Sequence, residues 1–410
     1  MIRVRTLLHT GTILFLAAGL TMSATPTSAL AAPPVRCGDT ITRDVTLRAD
    51  LRCTGDALVI GANGVTVDLN QHVVSGPRTS GVGISATQRN GLRIRNGAII
   101  DFAWGVTLDS TRNTVIENVR LLRNGSDSPG DDGGVQAESV SGLRIAQGAI
   151  EAVASGTPAV VATNSTGIAI RGVRVHGGID LSINTHGSLI ADNIFRGGRV
   201  TASEANRTVV RDNHFSQSGI RVSESNEVTI SGNDLTGGTI QLGIAVEDVT
   251  VQRNSLRASE FGLVIDGPAS NTRVIENEFT NHFYGMYVRV GLLAVIDGLA
   301  VARNTFTDNG GNGLFFEAPA IGASPARISV TGNRFTGNGY ASGENDAAGR
   351  PNDDGLHTNV PVGSDILVTG NRTQSNADHG IEALPPGSVR DGGGNVSTGD
   401  LNGCVGVVCR

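Results

Sequence analysis

The stretch LIADNIF (189–195) recurs along the chain as VVRDNHF (209–215), TISGNDL (229–235) and TVQRNSL (250–256). Each copy places an Asn after aliphatic residues, with a Phe or Leu two positions beyond that Asn. The pattern continues at Asn277, Asn304, Asn333 and Asn371, with looser copies at Asn96 and Asn118. Recurrence at this spacing predicts an internal repeat rather than one irregular core.

A second pattern, Gly–aliphatic–x–aliphatic, follows the Asn of each repeat. It reads GIRV (219–222), GIAV (243–246), GLVI (262–265), GMYV (285–288), GLFF (313–316), GLHT (355–358) and GIEA (380–383). Each repeat of roughly 20–29 residues therefore holds at least two short strands separated by a turn. No stretch of useful length carries the 3.6-residue periodicity of an amphipathic helix.

Repeats of this kind predict an all-β solenoid. One coil cannot bury its apolar side alone, so coils stack in parallel around a column of Val, Ile, Leu and Phe side chains. We expect about twelve coils, each adding roughly 4.8 Å to the stack. At an inward bend the Asn amide can bond the coils above and below it, and the Phe two residues later can stack on its equivalent.

These repeats resemble the right-handed parallel β-helix of the pectin-lyase-like superfamily, whose coils carry an asparagine ladder. The resemblance covers roughly residues 60–395. The stretch 37–76 resembles the opening of many secreted β-helix proteins, where the first strands and a disulfide bridge cap the open end. We expect an N-terminal cap with the first strands over 32–75, a parallel β-helix over 76–395 and a disulfide tail over 396–410. The superfamily includes lyases, hydrolases, epimerases and proteins without known activity, so the fold alone does not select a function.

The N-terminus has the features of a secretory signal peptide over residues 1–31. Arg3 and Arg5 precede an apolar stretch, and the segment ends with small residues, as a cleavage site requires. The cysteines form two close pairs in the exported part, Cys37 with Cys53 and Cys404 with Cys409. Export and this spacing favour these two bridges over the other connectivities, so that both chain ends are clamped. We expect a secreted protein.

Composition restricts the class of partner. All 32 basic residues are Arg and the net charge is −6, which argues against nucleic acid. No later stretch approaches the ~18 continuous apolar residues of a membrane span. Aromatic residues make up only 4% of the chain while glycine occurs 56 times, a composition typical of short strands joined by many turns. We expect a soluble monomer with neither a nucleic-acid nor a membrane partner.

Strand alternation places every second side chain on the outer face of a coil. In the second pattern the aliphatic residues point inward, so the residues between and after them form two outward columns. The first column is predicted to hold Arg221, Ala245, Val264, Tyr287, Phe315, His357 and Glu382. The second is predicted to hold Ser223, Glu247, Asp266, Arg289, Glu317, Asn359 and Leu384. Aromatic, basic and acidic groups thus gather at the C-terminal end, where the long insertion 338–354 could wall a groove.

These residue types permit acid–base chemistry on a sugar chain. Hydrolysis needs two carboxyl groups, which Glu317 with Glu382, or Asp353 and Asp354 with Asp378, would supply.

Elimination or epimerisation of a uronate instead needs a cation to neutralise the substrate carboxylate and a base for the α-proton. Arg289 would provide the cation, and His357, Tyr287 or an arginine the base.

A Ca²⁺ ion is the one cofactor that these residues suggest. Asp353, Asp354 and Asp378 offer the oxygen ligands that Ca²⁺ prefers.

Two stretches on adjacent coils carry a resemblance of their own. NDDG (352–355) followed by DHG (378–380) is similar to the consecutive-coil aspartates of polygalacturonase-type hydrolases, although their further His and Arg–x–Lys have no counterpart here. DDGLH (353–357) with the same DHG is similar to the Asp/His/Tyr arrangement of alginate C5-epimerases, without their Asp-Pro-His. Pectate-lyase-type calcium chemistry would assign the base to Arg289 or Arg350.

Each of these signals also has a purely structural explanation. Asp and Gly before a strand are ordinary turn residues, since Asp bonds its own backbone and Gly adopts positive φ. Tyr287 and Phe315 would form an exposed stack, and Arg289 and Glu317 a surface ion pair worth about 0–1 kcal/mol. The acidic loop 124–134 is expected to be a flexible turn far from these residues, or else a Ca²⁺ site.

The leading hypothesis is a secreted carbohydrate-active protein that cleaves or epimerises a uronate-containing polysaccharide on its C-terminal coils. The alternatives are a non-catalytic β-helix that binds glycans or a cell surface, and a structural exported rod. Turnover would distinguish the enzyme from the glycan-binding protein. Saturable glycan binding would distinguish the glycan-binding protein from the structural rod. The candidate catalytic residues are Tyr287, Arg289, Glu317, Asp353, Asp354, His357, Asp378, His379 and Glu382.

Overall fold

The computed structural model describes residues 33–78, 80–125, 132–153, 157–289, 295–318, 325–341 and 343–410. The signal peptide expected over 1–31 lies outside these residues. From Val35 to Arg410 the chain forms one unit, a solenoid in which the strands of successive coils pair in parallel. The all-β parallel solenoid is therefore confirmed. The described residues contain strands and turns, and no helix among them could cross a membrane.

One sheet runs the length of this unit and is called the long sheet. Its 16 strands are Asp39–Ile41, Leu58–Ile60, Val82–Thr87, Trp104–Asp109, Gly133–Glu138, Pro158–Thr163, Gly178–Ser182, Arg199–Ser203, Gly219–Ser223, Ile240–Leu242, Phe261–Ile265, Tyr284–Arg289, Leu314–Glu317, Leu356–Asn359, His379–Leu384 and Gly403–Val405. The coils are thus more numerous than the roughly twelve predicted from the repeat. The first and last coils lack the Asn–x–Phe pattern on which that estimate rested.

Two further parallel ladders complete the coils. The first ladder contains Val45–Thr46, Thr66–Asp68, Leu189–Ala191, Val209–Arg211, Thr229–Ser231, Thr250–Gln252, Arg273–Ile275, Ala300–Ala302, Ile328–Thr331, Ile366–Thr369 and Arg390–Asp391. The second ladder contains Leu51–Arg52, Val73–Ser75, Ile194–Arg196, His214–Ser216, Asp234–Thr236, Ser255–Arg257, Glu278–Thr280, Thr305–Thr307, Arg334–Thr336, Arg372–Gln374 and Val396–Thr398. The strands Arg93–Ile100, Arg112–Asn124, Ser141–Ala152 and Ala169–His176 pass through both ladders. A small separate sheet consists of Val246–Glu247, Ala269–Ser270 and Ile296–Asp297.

The core lies inside the coils, as the repeat predicts. From Asn193 to Asn371, the aliphatic residue three positions before each ladder Asn is fully buried, and each such side chain contributes about 1.5–3 kcal/mol. The predicted Phe stacking is confirmed in two runs. Phe195 stacks on Phe215 with ring centroids 4.5 Å apart. Phe306 stacks on both Phe279 and Phe335 at 4.9 Å.

The predicted asparagine ladder is present and continues through Asn395. The Nδ2 group of Asn254 donates to Oδ1 of Asn277 and to the Ile230 carbonyl, both at 3.0 Å. Its Oδ1 atom accepts from the backbone nitrogen of Asn233 at 2.9 Å. Because this amide is buried, each rung satisfies backbone groups that an inward bend would otherwise leave unpaired.

The sequence spacing between rungs varies, although each rung pairs with the next in the same way. The spacing is 20 residues between Asn193 and Asn213 but 38 residues between Asn333 and Asn371. Part of the added length is the insertion 338–354. Insertions of this kind on a rigid scaffold are common locations of function, so the spacing itself marks the C-terminal coils.

The expectation that Asn96 and Asn118 belong to this ladder is wrong. Strand pairing aligns them with Asp192, the residue before Asn193, and they share its left-handed backbone, with φ of 59° and 54°. Nδ2 of Asn118 donates to Oδ1 of Asn96 at 3.1 Å on the exposed side of the bend. Asn tolerates positive φ better than most residues, so an Asn near a bend is compatible with either position.

A second column of buried amides supports the last coils. Nδ2 of Asn309 donates to Oδ1 of Asn338, and Nδ2 of Asn338 donates to Oδ1 of Asn376, both at 2.8 Å. The column begins at the backbone nitrogen of His282 and ends at the carboxylate of Asp400. It therefore fixes the turn from which the insertion 338–354 departs.

Both predicted disulfides, Cys37–Cys53 and Cys404–Cys409, are present, with sequence separations of 16 and 5 residues. In the chain-entropy model they contribute about 3 and about 2 kcal/mol. Strand pairing begins inside the expected cap, at Asp39–Ile41, and extends into the expected tail, to Gly403–Val405.

Candidate active site

The outward columns pair as predicted at the C-terminal end of the long sheet. The first column holds Tyr287, Phe315, His357 and Glu382 on consecutive rungs. The second column holds Arg289, Glu317, Asn359 and Leu384 on the same rungs. Every candidate residue therefore lies on, or directly before, the last four strands that precede Gly403–Val405.

One position of the first column was predicted wrongly. Gln241, not Ala245, pairs with Arg221 on one side and Val264 on the other. The strand there is Ile240–Leu242, and Ala245 lies in a turn with a φ of 53°. The Gly–Ile–Ala–Val motif (243–246) has the residue pattern of a strand of the long sheet, but the strand itself is Ile240–Leu242, directly before the motif.

His357 lies among three carboxylates. Its Nδ1 atom is 2.7 Å from Oδ2 of Asp354 and 2.8 Å from Oε2 of Glu382, and its Nε2 atom is 3.2 Å from Oδ2 of Asp346. All four side chains are buried. Because both ring nitrogens face acceptors, this geometry suits an imidazolium that donates from each nitrogen.

The electrostatics of this cluster favour the charged ring. Burial alone would lower the pKa of His357, but the hydrogen bonds to Asp354 and Glu382 outweigh it and raise the pKa to about 9. Burial likewise acts to raise the pKa of Asp354, yet its hydrogen bonds with His357 and His379 leave that pKa below the usual range. At neutral pH the cluster is therefore an ion-pair network, and His357 is not available as a base.

The insertion 338–354 covers His357 instead of standing beside an open face. Asp346, near its tip, accepts from Nε and Nη2 of Arg350 at 2.9 and 2.7 Å and from the Arg350 backbone nitrogen at 2.8 Å. The same Asp346 carboxylate meets His357, so one side chain holds both the loop and the ring. Neither Asp346 nor the pairing role of Arg350 was predicted, because the insertion has no periodicity from which to derive its path.

The base of the insertion is anchored by buried amides. Nδ2 of Asn352 donates to the Tyr284 hydroxyl at 2.9 Å, and Oδ1 of Asn352 accepts from Nδ2 of Asn312 at 3.1 Å. Oδ1 of Asn312 in turn accepts from the backbone nitrogen of Asp354 at 2.8 Å. These bonds hold Asp354 where its carboxylate meets His357.

Asp353, Asp378 and His379 lie at the edge of the same cluster. Burial, and after it the neighbouring charges of Asp354, Asp378 and Glu382, raise the pKa of Asp353 to about 6. Nδ1 of His379 is 3.1 Å from Oδ2 of Asp378, and its backbone nitrogen donates to Oδ1 of Asp354 at 2.8 Å. The interaction of the His379 ring with the Asp354 carboxylate, whose Oδ1 atom lies 3.4 Å from Nδ1, raises the pKa of His379.

Tyr287, Arg289 and Glu317 form a separate group on the preceding rungs. The Tyr287 hydroxyl donates to Oε2 of Glu317. Burial and this hydrogen bond raise the pKa of Tyr287, while the charge of Arg289 opposes the rise. The predicted Arg289–Glu317 ion pair does not form although the residues share a rung, and Arg289 has no ion pair among the described residues.

Phe315 separates the two groups. Its ring centroid is 5.5 Å from that of Tyr287 and 5.1 Å from that of His357, on opposite sides along the column. Tyr284 and Phe261 continue the aromatic cluster, each with centroids 5.6 to 5.7 Å from Tyr287. Phe315 is itself buried, so the expected exposed stack is instead the wall between a buried ionic cluster and an accessible one.

A groove on the long sheet leads to Tyr287 and Arg289. One cavity of about 820 Å³ and another of about 520 Å³ share Gly198, Arg199 and Gln217, so they are continuous along the outer face. The second cavity also includes Arg221, and Tyr287 and Arg289 lie at its C-terminal end. Arg199 and Arg221, like Arg289, form no ion pair with any described residue, which leaves their charges free to meet a ligand.

Asp180, on this groove, was not among the candidates. Its Oδ1 atom is buried without a hydrogen-bond partner, and burial raises its pKa. The residue occupies the outward position between Val161 and Thr201 in the strand pairing. The stretch GIDL (178–181) has the same Gly–aliphatic–x–aliphatic pattern, which places Asp180 in the first column ahead of Arg221.

Calcium does not fit the predicted ligands well. The groups of three described side chains whose ligand atoms lie within 4.8 Å of one another are Asp354, His357 and Glu382, and Asp354, Asp378 and His379. Asp353 belongs to neither, and each group brings an imidazole where Ca²⁺ prefers oxygen. In the first group the charged His357 ring already balances the carboxylates. The Ca²⁺ site stays a prediction, and no chemistry is assigned to it.

Most of the acidic loop 124–134 lies outside the described residues, including Asp127 and Asp131. Its first residue, Asn124, is buried and accepts from the backbone nitrogen of Phe102 at 3.1 Å. That bond gives the start of the loop a structural role.

Comparison with known proteins identifies the class. The sequence profile of a family described as right handed beta helix region matches residues 153–291 and 200–352. Together with the parallel coils and the asparagine ladder, this match identifies the fold as a right-handed parallel β-helix, similar to that of pectin-lyase-like proteins. No curated protein matches the sequence.

Three solved structures are similar in outline. A mutant of the periplasmic alginate epimerase AlgG is 11% identical, with 91% of this chain and 79% of that chain covered and a TM-score of 0.44. The surface adhesin PfbA of Streptococcus pneumoniae is 11% identical, with coverage of 79% and 80% and a TM-score of 0.41. An exopolygalacturonase from Thermotoga maritima is 9% identical, with coverage of 73% and 92% and a TM-score of 0.42. At these values the similarity carries no information on activity.

Proposed function

We propose that this β-helix is an exported carbohydrate-active protein that binds an acidic polysaccharide along the long sheet and transfers protons at Tyr287 and Glu317. The observation that carries the proposal is the Tyr287–Glu317 hydrogen bond at the end of a groove, beside the unpaired guanidinium of Arg289.

The groove supports an acidic chain as the ligand. Arg199, Arg221 and Arg289 line it, and a planar guanidinium can bind a carboxylate through two parallel hydrogen bonds. The first-column positions between Arg221 and Tyr287 are uncharged, with Gln241 and Val264 on consecutive rungs, and Asp266 adds one carboxylate to the lining, where it accepts from Nε2 of Gln241 at 2.9 Å. Sugar rings can lie on such positions while their carboxylates reach the arginines. The protein as a whole is acidic, so binding of a polyanion requires a local site of this kind.

The roles of the three residues follow from their electrostatics. Arg289 would neutralise the carboxylate of one uronate, which acidifies the neighbouring C–H bond. Glu317 would accept the proton, and Tyr287, whose raised pKa keeps it protonated, would donate a proton to the leaving oxygen on the same side of the sugar, which is elimination. Epimerisation would instead require a proton from solvent on the opposite face of the carbanion.

The buried cluster around His357 would position residues in this proposal and would not react. Its ring is charged, is covered by Asp346 and is separated from Tyr287 by Phe315. Hydrolysis by Glu317 with Glu382 is less well supported, because Glu382 is buried against His357.

A non-catalytic glycan-binding β-helix is the second candidate. The observation that favours it is the same burial, since three of the predicted acid and base residues, Asp354, His357 and Glu382, are held in buried ion pairs. Such a protein would bind acidic glycans along the groove without turnover. A structural rod without ligands is the remaining alternative.

Export is supported by the two disulfides. Disulfide bonds of this kind persist in oxidising compartments and are rare in the cytosol. The proposed signal peptide over residues 1–31 is consistent with that location.

The test is an assay of the purified mature protein on polygalacturonate, alginate and a neutral glucan. Three readouts separate the chemistries: absorbance of unsaturated products for a lyase, new reducing ends for a hydrolase, and proton NMR of the uronate ring for an epimerase. Arg289→Gln should lower kcat/KM on acidic substrates by at least about 100-fold. Arg372→Gln, an exposed arginine on the second ladder, is the matched control.

The outcomes separate the candidates. Turnover that survives Arg289→Gln would overturn the assignment of the site. Saturable binding without turnover by any readout would favour the glycan-binding candidate, and absence of binding would leave the structural rod.

A further inference from the structure

A second pocket lies on the second ladder, on a different sheet from the groove. Its volume is about 530 Å³, and its lining includes four arginines and a histidine, which are Arg78, Arg123, Arg174, Arg196 and His176. Glu151 is the one acidic residue among the lining residues. A concentration of guanidinium groups of this kind is unexpected on a chain of net charge −6.

Three of these arginines lack the acidic partner that some exposed arginines of the coils have. Arg95, Arg253 and Arg327 each meet an acidic residue of an adjacent coil at 2.6 to 3.0 Å. In the pocket only Arg123 has such a partner, since its Nε and Nη2 atoms donate to the two carboxylate oxygens of Asp101. Among the described residues Arg78, Arg174 and Arg196 form no ion pair.

The parallel pairing of the strands brings these groups together. His176 pairs with Arg196 on one rung, and Arg174 pairs with Ile194 two positions earlier. Glu151 pairs with His176 on the other side. Neighbouring rungs are about 4.8 Å apart, so Arg174 and Arg196 extend from adjacent strands toward the same space.

The charge in the pocket suits a dianion. Asp101 compensates Arg123, and Glu151 can compensate one further arginine, which leaves about two guanidinium charges in excess. A phosphate monoester carries about −1.5 to −2 at neutral pH, and guanidinium groups bind phosphate oxygens through paired hydrogen bonds. A single carboxylate would leave part of this charge uncompensated.

The remaining wall is apolar and larger than an inorganic ion requires. Val153, Val175 and Ile194 contribute to the lining, and the Ile194 side chain is 43% exposed. An exposed aliphatic side chain beside unpaired arginines offers a surface for the carbon skeleton of a ligand whose charged end meets the arginines.

We propose that this pocket binds a small phosphate monoester, with the phosphate between Arg174 and Arg196 and the organic part against Ile194. The proposal does not rest on the function proposed for the groove. Its ligand class differs, because the groove faces a polymer along the long sheet while this pocket admits one compact dianion.

Isothermal titration at low ionic strength tests the proposal, with glucose 6-phosphate as the probe and glucose as its uncharged control. We expect saturable binding of glucose 6-phosphate and none of glucose. Arg174→Gln and Arg196→Gln should each weaken binding at least tenfold. Glu151→Gln should tighten it severalfold, a gain that damage to the fold cannot produce. Arg144→Gln, exposed on the strand that also carries Glu151, should leave the affinity unchanged.

Three results would overturn the proposal. One is absence of saturable binding by the phosphate probe. Another is equal binding of glucose and glucose 6-phosphate. The third is an equal loss of affinity in Arg144→Gln and Arg174→Gln, which would indicate attraction to net charge rather than to a pocket.

Discussion

His357 and Asp346 join a strand of the long sheet to the insertion that covers it. Nε2 of His357, on a strand of the long sheet, lies 3.2 Å from Oδ2 of Asp346, near the tip of the insertion 338–354. Both side chains have no exposed surface. The ion pair therefore makes the closed position of the insertion depend on the charge of one ring.

Stability should fall as pH rises above neutrality. The pKa of His357 is raised to about 9 in the folded state from 6.5. Its contribution is thus fully present below pH about 6.5 and is lost as pH rises through about 9, a change of roughly 3 kcal/mol. Urea unfolding at pH about 6 and about 10 measures this difference in the free energy of unfolding.

The comparison of two variants isolates this ring. His357→Gln should remove most of the difference between the two pH values, while His214→Gln, an exposed histidine, should retain it. The pKa of His379 is also raised, so a smaller dependence of the same sign remains in His357→Gln. An unchanged pH dependence in His357→Gln would contradict the assignment.

Asp346→Asn should release the insertion without unfolding the coils. The change removes the charge that holds the Arg350 guanidinium and the His357 ring, and we expect a loss of about 1–3 kcal/mol. Hydrogen exchange over residues 343–353 should become at least tenfold faster. Asp248→Asn, an exposed aspartate in another turn, is the control, and equal exchange in both variants would argue against the anchor.

Asn254→Ala should destabilise the solenoid by about 2–4 kcal/mol, since it leaves the Asn233 backbone nitrogen without its partner and removes the amide bonds to the Ile230 carbonyl and to Oδ1 of Asn277. Chemical denaturation measures the loss. Asn90→Ala removes an exposed amide whose Oδ1 accepts from Nδ2 of Asn113 at 3.0 Å and should cost less than about 1 kcal/mol. Similar losses in both variants would mean that the buried ladder contributes little to the free energy of unfolding.

Tyr287→Phe should reduce turnover of an acidic polysaccharide about 100-fold or more with little change in KM. The variant keeps the ring contacts with Tyr284 and Phe315, at centroid distances of 5.7 and 5.5 Å, and loses only the hydroxyl that donates to Glu317. Tyr340→Phe, at a residue that is 70% exposed, is the control. A loss of binding in place of turnover would assign Tyr287 to recognition.

Most of the fold was predictable from the repeat, because each coil has to bury the same kinds of side chain at equivalent positions. The inward aliphatic residues, the Phe stacks and the ladder from Asn193 onward were all predictable from spacing. The coils near Asn96 and Asn118 were not, because there a tolerance for positive φ, and not a buried hydrogen bond, selects Asn. The second column through Asn338 and Asn376 escaped detection because it exists in too few coils to form a pattern.

The sequence predicts the order of the candidate residues along the column, but not which of them are exposed. Alternation correctly set Tyr287, Phe315, His357 and Glu382 on consecutive rungs. It does not report what covers an outward side chain, since that depends on the path of an aperiodic insertion. The burial of His357 under Asp346, and with it the loss of its availability as a base, therefore became visible only in the structure.

The variable spacing between ladder rungs has a consequence for how such a protein can change. The amide column sets the rise of each coil whether 20 or 38 residues lie between two rungs. A segment between Asn338 and Asp354 can therefore be replaced by one of another length without moving Arg221 or Tyr287. New specificities can be grafted onto one end of the molecule while the rest keeps its dimensions.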